Sequence, residues 1–262
     1  MQWIEFNGIR SSELGLLVTS MPSENRAAMR YSTQSPYGID GDLVHVDPWY
    51  GNYSTSVSFN CMGKATQNDV YKWLRGSGYM ITSDHPDKHR WVTFADEQTD
   101  DRQRFAHRNF DTITVPIICA PFKTLIDEQP IIITASGANI CSGIDDFGDV
   151  PAYPLIEMNV SDRYARDTIT INGVTIGIVR FDPPYEEIPL VPDNLSIDCE
   201  TKYSYVVDDG EIKSSYEYGL NAETSIGKYG TEWFSLEEGK ENKIVYTAGI
   251  SAIKIYPRWR WF

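Results

Sequence analysis

Hydrophobic and polar positions alternate with a period of two through much of the second half of the chain. The pattern is clearest from Asp167 to Arg180, where isoleucine and valine recur at every second position on either side of Asn172-Gly173. An Asn-Gly pair between two such runs is typical of a type I′ turn, so this segment is predicted to be a β-hairpin. A second hairpin is predicted from Tyr203 to Ile212, with its turn at Asp208-Asp209-Gly210. Further short strands are predicted at Leu155–Val160, Leu195–Asp198, Lys243–Tyr246 and Ile250–Tyr256, which together favour an antiparallel β-sandwich.

One segment in the first half departs from this strand pattern. Its apolar residues are spaced i, i+3, i+4, as on one face of a helix, and they are Val70, Trp73 and Leu74. Thr66 and Asp69 resemble a capping box at its start, while Gly76 and Gly78 are predicted to end it. The first half is therefore predicted to be a β domain with one short packed helix.

Chain length and charge both indicate two domains. A chain of 262 residues is longer than one small core needs, and proline-rich sequence between Pro121 and Pro130 suggests a boundary. We therefore predict domains at 1–126 and 127–262. Residues 1–124 carry 12 Lys and Arg against 14 Asp and Glu, a net charge of −2, whereas residues 125–262 carry 11 against 23, a net of −12. Such asymmetry is expected when the two halves have different surroundings.

Composition excludes several classes of function. A net charge of −14 disfavours binding to nucleic acid, because that affinity depends on Lys and Arg that neutralise phosphates. The longest apolar stretch, around Ile113 to Phe122, is interrupted by Pro116 and Pro121 and is far shorter than the roughly 20 residues that span a bilayer. The start of the chain lacks the features of a secretory signal, so we expect a soluble protein made in a cytosol without a membrane partner.

Metal, cofactor and thiol chemistry find little support. The cysteines Cys61, Cys119, Cys141 and Cys199 are far apart and form no CxxC pair, so they are predicted to be free thiols. His85 and His89 flank Pro86, which argues against a helix that would place both imidazoles on one face; a polar turn is the preferred interpretation. An acidic turn, rather than a calcium loop, is predicted for Asp145, Asp146 and Asp149. We predict no metal and no cofactor.

Enzymatic function is also not predicted. The chain has no GxSxG, Walker or Rossmann pattern, and among 37 acidic residues no pair of glycosidase carboxylates can be singled out. The seven tryptophans and 16 tyrosines are open to two interpretations. They suit a surface that stacks on sugars, but a sandwich core and a subunit interface account for them at least as well.

Several stretches, in order and nearly along the whole chain, resemble the distal tail protein (Dit) family of phages with long non-contractile tails. The first is FNGIRSSELGL at the N-terminus, and the second is the helix with the strand and turn that follow it, NDVYKWLRGSGYMITSDHPDKHRWV. The closing strands LSIDCETKYSYV, WFSLEEGKENKIVYTAG and IKIYPRWR complete the match. Two positions depart from the family pattern: Ile39 in YGIDGDL stands where an arginine is common, and the turn from Gly239 to Asn242 is one residue longer.

The resemblance implies a structural virion protein with no catalytic residues. Members form a ring, typically a hexamer, at the distal end of the tail tube, through an N-terminal β domain, and a C-terminal galectin-like β-sandwich projects outward. The implied partners are further copies of the chain, the tail tube protein, the tail-associated tip protein and receptor-binding or fibre proteins. The nearly neutral first half suits self-association. The alternative is a β-sandwich carbohydrate-binding module, and a glycoside hydrolase ranks third.

Two further expectations concern surfaces. Basic residues of the first half interleave with acidic ones, which suits pairing between subunits, although solvated ion pairs are the simpler interpretation for most of them. These residues are Lys64, Lys72, Arg75, Lys88, Arg90, Arg102, Arg104 and Arg108. The C-terminal segment from Pro257 to Phe262 mixes aromatic and cationic residues, so it is predicted to dock onto another part of the protein.

Overall fold

The structure, a computed structural model, contains two compact units. It describes residues 2–38, 40–61, 67–94, 99–105, 108–134, 137–141, 148–160, 167–180, 194–208, 210–215, 220–224, 226–227, 230–231, 233–237, 239, 241–247 and 249–262. Unit 1 comprises Met1–Ile126 with Trp261–Phe262, and unit 2 comprises Asp127–Arg260. The chain is mainly β, as predicted. The last two residues belong to unit 1, whereas the predicted second domain extends to residue 262.

Unit 1 is built on an antiparallel sheet. Its elements are β1 (Ile4–Phe6), β2 (Ile9–Arg10), β3 (Leu16–Ser20), β4 (Met29–Gln34), β5 (Leu43–Tyr50), β6 (Tyr53–Cys61), α1 (Gln67–Trp73), β7 (Gly76–Thr82), β8 (His85–Phe94), β9 (Thr99–Phe105) and β10 (Arg108–Leu125). The sheet has the strand order β2-β1-β7-β8-β10-β6-β3, with β9 also paired to β10, while β4 and β5 form a separate two-stranded sheet.

The core of unit 1 lies between the sheet and the helix. Val70 of α1 and Leu74, the residue directly after the helix, are fully buried, and Trp73 packs at an angle against Phe59 with ring centroids 5.9 Å apart. The Trp73 indole N–H donates to the carbonyl of Phe6 at 3.3 Å. The predicted helical stripe is thus confirmed, because these three side chains share the face that meets the sheet.

The helix ends close to the first of the two glycines predicted to terminate it. It stops at Trp73, three residues before Gly76, so Gly76 follows the helix end as predicted, whereas Gly78 lies inside β7 and takes no part in ending the helix. Gly76 has a φ of +77°, a backbone conformation that reverses the chain into the strand without the steric cost of a side chain. The proposed cap residue Thr66 lies outside the described residues.

Two prolines lie within the long strand β10. Pro116 sits opposite Ser56 of β6, and Pro121 falls where the pairing with β8 shifts register between Cys119 and Lys123. A proline removes one N–H from the ladder, and a bulge is a place where a sheet tolerates that loss. The strand continues to Leu125, beside the unit boundary.

Unit 2 is formed by further antiparallel strands. They are β11 (Ile131–Ile133), β12 (Gly137–Cys141), β13 (Leu155–Val160), β14 (Asp167–Ile171), β15 (Val174–Arg180), β16 (Asn194–Asp198), β17 (Tyr203–Asp208), β18 (Glu211–Ser214), β19 (Leu220–Thr224), β20 (Ile226–Gly227), β21 (Gly230–Thr231), β22 (Asn242–Tyr246) and β23 (Ile250–Tyr256). Among the described residues the main sheets have the orders β11-β23-β13-β16-β17-β18 and β12-β22-β14-β15-β19, and β20 pairs with β21.

The two main sheets of unit 2 each bury alternate side chains, as a sandwich requires. Ile156 and Met158 of β13 are buried from the first sheet, and Ile169 and Ile171 of β14 from the second. The predicted hairpin is confirmed: β14 pairs with β15 around Asn172 and Gly173, whose φ angles of 52° and 85° fit a type I′ turn. The second predicted hairpin, β17–β18, is also present, but Asp209 in its turn lies outside the described residues.

The C-terminal segment is packed rather than free, as predicted. Trp259 and Trp261 are 1% and 6% exposed. Trp261 pairs with Lys123 through two backbone hydrogen bonds of 2.7 and 3.1 Å. Arg258 and Trp259 donate their backbone N–H groups to the Glu128 carboxylate at 2.8 and 3.1 Å.

Candidate docking surface

The hairpin formed by β4 and β5 carries the exposed surface most suited to protein contacts. Every residue of β4 is exposed, and so are most residues of β5. Among the described residues neither strand pairs with the main sheet of unit 1. An isolated two-stranded hairpin is at best marginally stable in water. Packing of the exposed side chains against a partner surface would therefore stabilise this hairpin.

The strand register divides the hairpin into two chemically different faces. Tyr31 lies opposite Val46, and the neighbouring pair on the same face is Thr33 with Val44. The other face presents Ser32 opposite His45 and Gln34 opposite Leu43. Because directly opposite residues point to the same side of an antiparallel pair, Tyr31, Val44 and Val46 form one surface, which we call the apolar hairpin face.

The apolar hairpin face is open to solvent. Tyr31, Val44 and Val46 are 68%, 60% and 53% exposed. Contiguous apolar surface of this kind on a β-hairpin favours pairing or packing with another chain, and soluble proteins usually cover it. The residue types and the geometry thus indicate a protein–protein contact.

Aromatic residues fix the base of the hairpin within unit 1. The Tyr50 ring lies 5.2 Å from that of Phe122 and 5.3 Å from that of Phe262, in edge-to-face arrangements. The guanidinium group of Arg26 lies over the Phe262 ring, with its central carbon 4.7 Å from the ring centroid. A backbone hydrogen bond of 2.9 Å from Gly51 to Ala28 closes the base. The last residue of the chain therefore helps to hold the arm that carries the apolar hairpin face.

The histidines considered as metal ligands have other neighbours. His85 forms an ion pair with Glu24, with Nε2 and Oε1 3.2 Å apart. The His89 ring lies 4.1 Å from the Tyr79 ring, and partial burial lowers the pKa of His89. The polar turn predicted here is confined to Ser83-Asp84, because His85 already begins β8. No group of three potential metal ligands occurs in the part of the chain that the structure describes.

Of the three aspartates in the predicted acidic turn, Asp149 is among the described residues. Asp145 and Asp146 lie outside the described residues. Asp149 is exposed, and its backbone N–H donates to the carbonyl of Arg260 at 2.8 Å. Asp149 therefore contacts the C-terminal segment through its backbone.

Three cysteines are free thiols, in agreement with the sequence prediction. Cys119 and Cys199 are buried, while Cys61 is partly exposed. Burial raises the pKa of Cys119 to about 11 and that of Cys199 to about 12, so neither supplies a thiolate at neutral pH. The side chain of Cys141 lies outside the description.

The described tryptophans include both buried and exposed residues. Trp73, Trp259 and Trp261 pack inside the protein. Exposed positions include Trp49 and Trp91, which are 47% and 46% exposed. Sequence reasoning missed the apolar hairpin face, although the alternation Val44-His45-Val46 is a visible strand signal.

None of the helices in the described ranges is long and apolar enough to cross a membrane. Ile39, where the resemblance expects an arginine, lies outside those ranges. Lys64 also lies outside the described ranges, and the description does not include the side chains of Arg102, Arg104 and Arg108.

Comparison with known proteins identifies the fold. No family model and no curated protein matches the chain. Among solved structures, the chain matches the Dit protein of phage SPP1 with a TM-score of 0.64 at 12% identity, over 97% of this chain and 98% of that chain. That protein is described as a paradigm of the hub adsorption apparatus in phages that infect Gram-positive bacteria. Structures of the phage P2 baseplate, activated with Ca and with Sr, match with TM-scores of 0.42 and 0.41 at 9% identity, over 97% of both chains. The likeness to SPP1 Dit shows that this chain has the same fold over nearly its whole length.

Proposed function

We propose that the chain is a non-enzymatic structural subunit of a phage tail baseplate, and that it forms the hub ring at the distal end of a long non-contractile tail. The observation that carries this proposal is the apolar hairpin face, which unit 1 leaves uncovered in a chain with the SPP1 Dit fold. A surface that packs against a different surface of the next identical subunit closes into a ring when the rotation between subunits suits. The ring that we propose is a hexamer.

The charge distribution supports this arrangement. The first half of the chain is nearly neutral, whereas the second half carries a net charge of −12. Neighbouring copies repel each other less through a neutral surface than through an acidic one. Unit 1 is therefore the better candidate for the ring, with unit 2 turned outward.

The proposed hub joins several kinds of protein. The tail tube protein would contact one side of the ring, the tail-associated tip protein the other, and receptor-binding or fibre proteins the periphery. Such a subunit is made in the cytoplasm of the bacterial host and ends up in the virion.

Native mass spectrometry of the full chain at micromolar concentration tests the ring. We expect an assembly of six chains of 29.8 kDa each. Val44→Asp places a charge on the apolar hairpin face and is expected to shift the population to monomer. His45→Asp adds the same group one residue away on the opposite face, and we expect it to leave the assembly intact. Circular dichroism checks that both variants fold.

A wild-type chain that remains monomeric alone, and forms no ring when a tail-tip partner is added, contradicts the proposal. Equal effects of Val44→Asp and His45→Asp would leave the hub possible but reject the apolar hairpin face as its contact. The two substitutions therefore separate the function from the surface that we assign to it.

One observation favours a second function, carbohydrate binding. A groove of about 530 Å³ lies on the outer face of the first sheet of unit 2, with Glu157, Asn159 and Lys254 among its lining residues. On the same sheet the Tyr203 and Tyr205 rings are stacked, with centroids 6.4 Å apart, and Tyr203 is 46% exposed. Aromatic faces beside amide and carboxylate groups suit sugar recognition. Glu157 is the one carboxylate among the described lining residues, so the groove lacks the pair that glycoside hydrolysis needs.

A glycan array followed by titration distinguishes this function from the hub alone. Saturable binding that Tyr203→Ala abolishes, and that exposed Ile132→Ala in the same sheet leaves unchanged, would establish it. If no glycan binds, the groove has no role in carbohydrate recognition. Ring formation is measured separately and does not depend on this result.

A further inference from the structure

A small pocket in unit 1 is lined by an unusual concentration of basic residues. It has a volume of about 30 Å³ and lies beside β8 and β10. Lys88, His89 and Arg90 of β8 and Lys123 of β10 contribute to its wall, together with His85 and Glu24. The one carboxylate among these six faces three permanent cations. In a chain with a net charge of −14, this is a local excess of positive charge.

Arg90 is the residue of the pocket whose hydrogen-bond donors are not matched by acceptors of the described residues. It is 6% exposed, and its Nε and Nη2 groups have no hydrogen-bond acceptor among the described residues. Its guanidinium carbon lies 5.2 Å from the centroid of the Tyr53 ring, a contact that supplies π electrons but no hydrogen-bond acceptor of the usual kind. A buried guanidinium with unpaired donors is costly unless an anion accompanies it.

Among the described residues, the neighbouring groups do not provide an anion that accepts hydrogen bonds from Nε and Nη2 of Arg90. The Glu24 carboxylate favours the charged form of Arg90 electrostatically, but its hydrogen bonds are made to other groups: its Oε1 lies 2.5 Å from Nζ of Lys123 and 3.2 Å from Nε2 of His85. Cys119 also lines the pocket, but its thiol has a pKa of about 11 and is neutral at physiological pH. Lys88 stacks over the Trp261 ring at 4.3 Å and adds a further cation to the wall.

We propose that this pocket is a binding site for a small inorganic anion of the size of chloride, held against the Arg90 guanidinium. The volume of the pocket suits an ion close in size to a water molecule. Three cations against one carboxylate in this wall favour an anion over the water molecule itself, since a neutral ligand leaves the excess positive charge uncompensated. The ion stabilises unit 1 by neutralising a charge between two of its central strands.

Thermal unfolding of the full chain tests the site, with sodium chloride replaced stepwise by sodium gluconate at constant ionic strength. Gluconate is too large for the pocket. A ligand that binds only the folded protein raises the unfolding temperature with the logarithm of its concentration once that exceeds Kd, so we expect such a rise with chloride. Arg90→Lys keeps the charge but loses the planar fork, and we expect it to weaken the apparent chloride affinity about tenfold or more. Exposed Arg10, which pairs with Glu5 in the same unit, provides the control Arg10→Lys, with an unchanged response.

Bromide supplies a direct readout that needs no variant. In crystals grown with sodium bromide, we expect an anomalous-scattering peak in the pocket beside Arg90. Equal unfolding temperatures in chloride and gluconate, a chloride response that Arg90→Lys leaves intact, or a pocket without bromide would each overturn the proposal. If Arg90→Lys fails to fold, the chloride titration and the bromide peak of the wild-type chain still decide.

Discussion

Arg258 makes the most specific side-chain contact near the C-terminus. Its guanidinium forms a two-pronged interaction with Asp198, with distances of 2.8 Å from Nη1 to Oδ1 and 3.3 Å from Nη2 to Oδ2. Burial of Asp198 tends to raise its pKa, but the hydrogen bonds and the charge of Arg258 outweigh burial and hold the pKa below its usual range. A two-pronged pair is stronger than a single contact because both N–H groups meet acceptor oxygens in one plane.

Replacing this arginine tests the pair by its pH dependence. Arg258→Met is expected to lower the free energy of unfolding by about 1–3 kcal/mol at neutral pH, because Asp198 loses its main partner. A carboxylate whose folded pKa is depressed contributes stability above its unfolded pKa and loses that contribution as the pH falls through the folded pKa. The difference between wild type and variant should therefore shrink as the pH falls below 3.8, the ordinary pKa of an aspartate.

Urea denaturation across this pH range measures the effect. Exposed Lys243 in the same unit gives the control Lys243→Met, for which we expect little change at any pH. An Arg258→Met loss that is independent of pH would mean that packing of the arginine stem, rather than its charge, stabilises the segment.

At the scale of elements, close approach of backbone to backbone holds Arg260 within unit 2. Gly148 lies directly against the main chain of Arg260, where any side chain would overlap the backbone oxygen and nitrogen. Val150 and Arg260 form an isolated β-bridge beside this contact. Main-chain atoms cannot swing aside as a flexible side chain does, so this position requires glycine.

Gly148→Ala is therefore expected to destabilise unit 2 by about 1–3 kcal/mol through overpacking. Thermal unfolding and limited proteolysis near the C-terminus measure the change. Gly51 is a matched control, since a Cβ there would meet its nearest atoms at an ordinary 3.8 Å. Gly51→Ala should leave the unfolding temperature nearly unchanged. Equal behaviour of the two variants would show that the segment near Arg260 moves aside without cost.

Element types were predictable from the sequence, while several boundaries were not. The period-two pattern at Leu155–Val160 predicted β13 correctly to the residue, because each side chain points alternately to core and surface. Gly76 follows the helix end as predicted, but Gly78 belongs to β7, because a glycine signals permissive backbone without saying which element uses it. The apolar hairpin face was not predicted, because the exposure of a strand's side chains depends on which other elements pack against that strand.

On the scale of the whole molecule, the chain ends in the unit where it begins. Trp261 and Phe262 belong to unit 1, where Phe262 completes an aromatic cluster with Tyr50 and Phe122. Rings in edge-to-face contact stabilise a cluster beyond the area that they bury. The C-terminus thus contributes to the base of the hairpin that carries the proposed ring contact.

Phe262→Ala is expected to lower the stability of unit 1 by about 1–3 kcal/mol, since the partly exposed ring costs less to remove than a fully buried one. Hydrogen–deuterium exchange should show faster exchange at the base of the β4–β5 hairpin and unchanged rates in unit 2. Ile132→Ala, at a residue that is 62% exposed in unit 2, controls for loss of a surface apolar group. Unchanged exchange in the hairpin would show that the aromatic cluster does not hold it.

By itself, the sequence determined the mainly β class, the short helix, the Asn172-Gly173 hairpin and the charge asymmetry between halves. These properties depend on residue types at short spacing, which a linear pattern records directly. The tertiary structure decided which apolar strand residues remain uncovered and that Arg90 lies buried without an acceptor. It also decided that Phe262 returns to Tyr50, across more than two hundred positions of sequence. Burial and pairing between distant residues depend on how strands are ordered in a sheet, and that order is not encoded in local spacing.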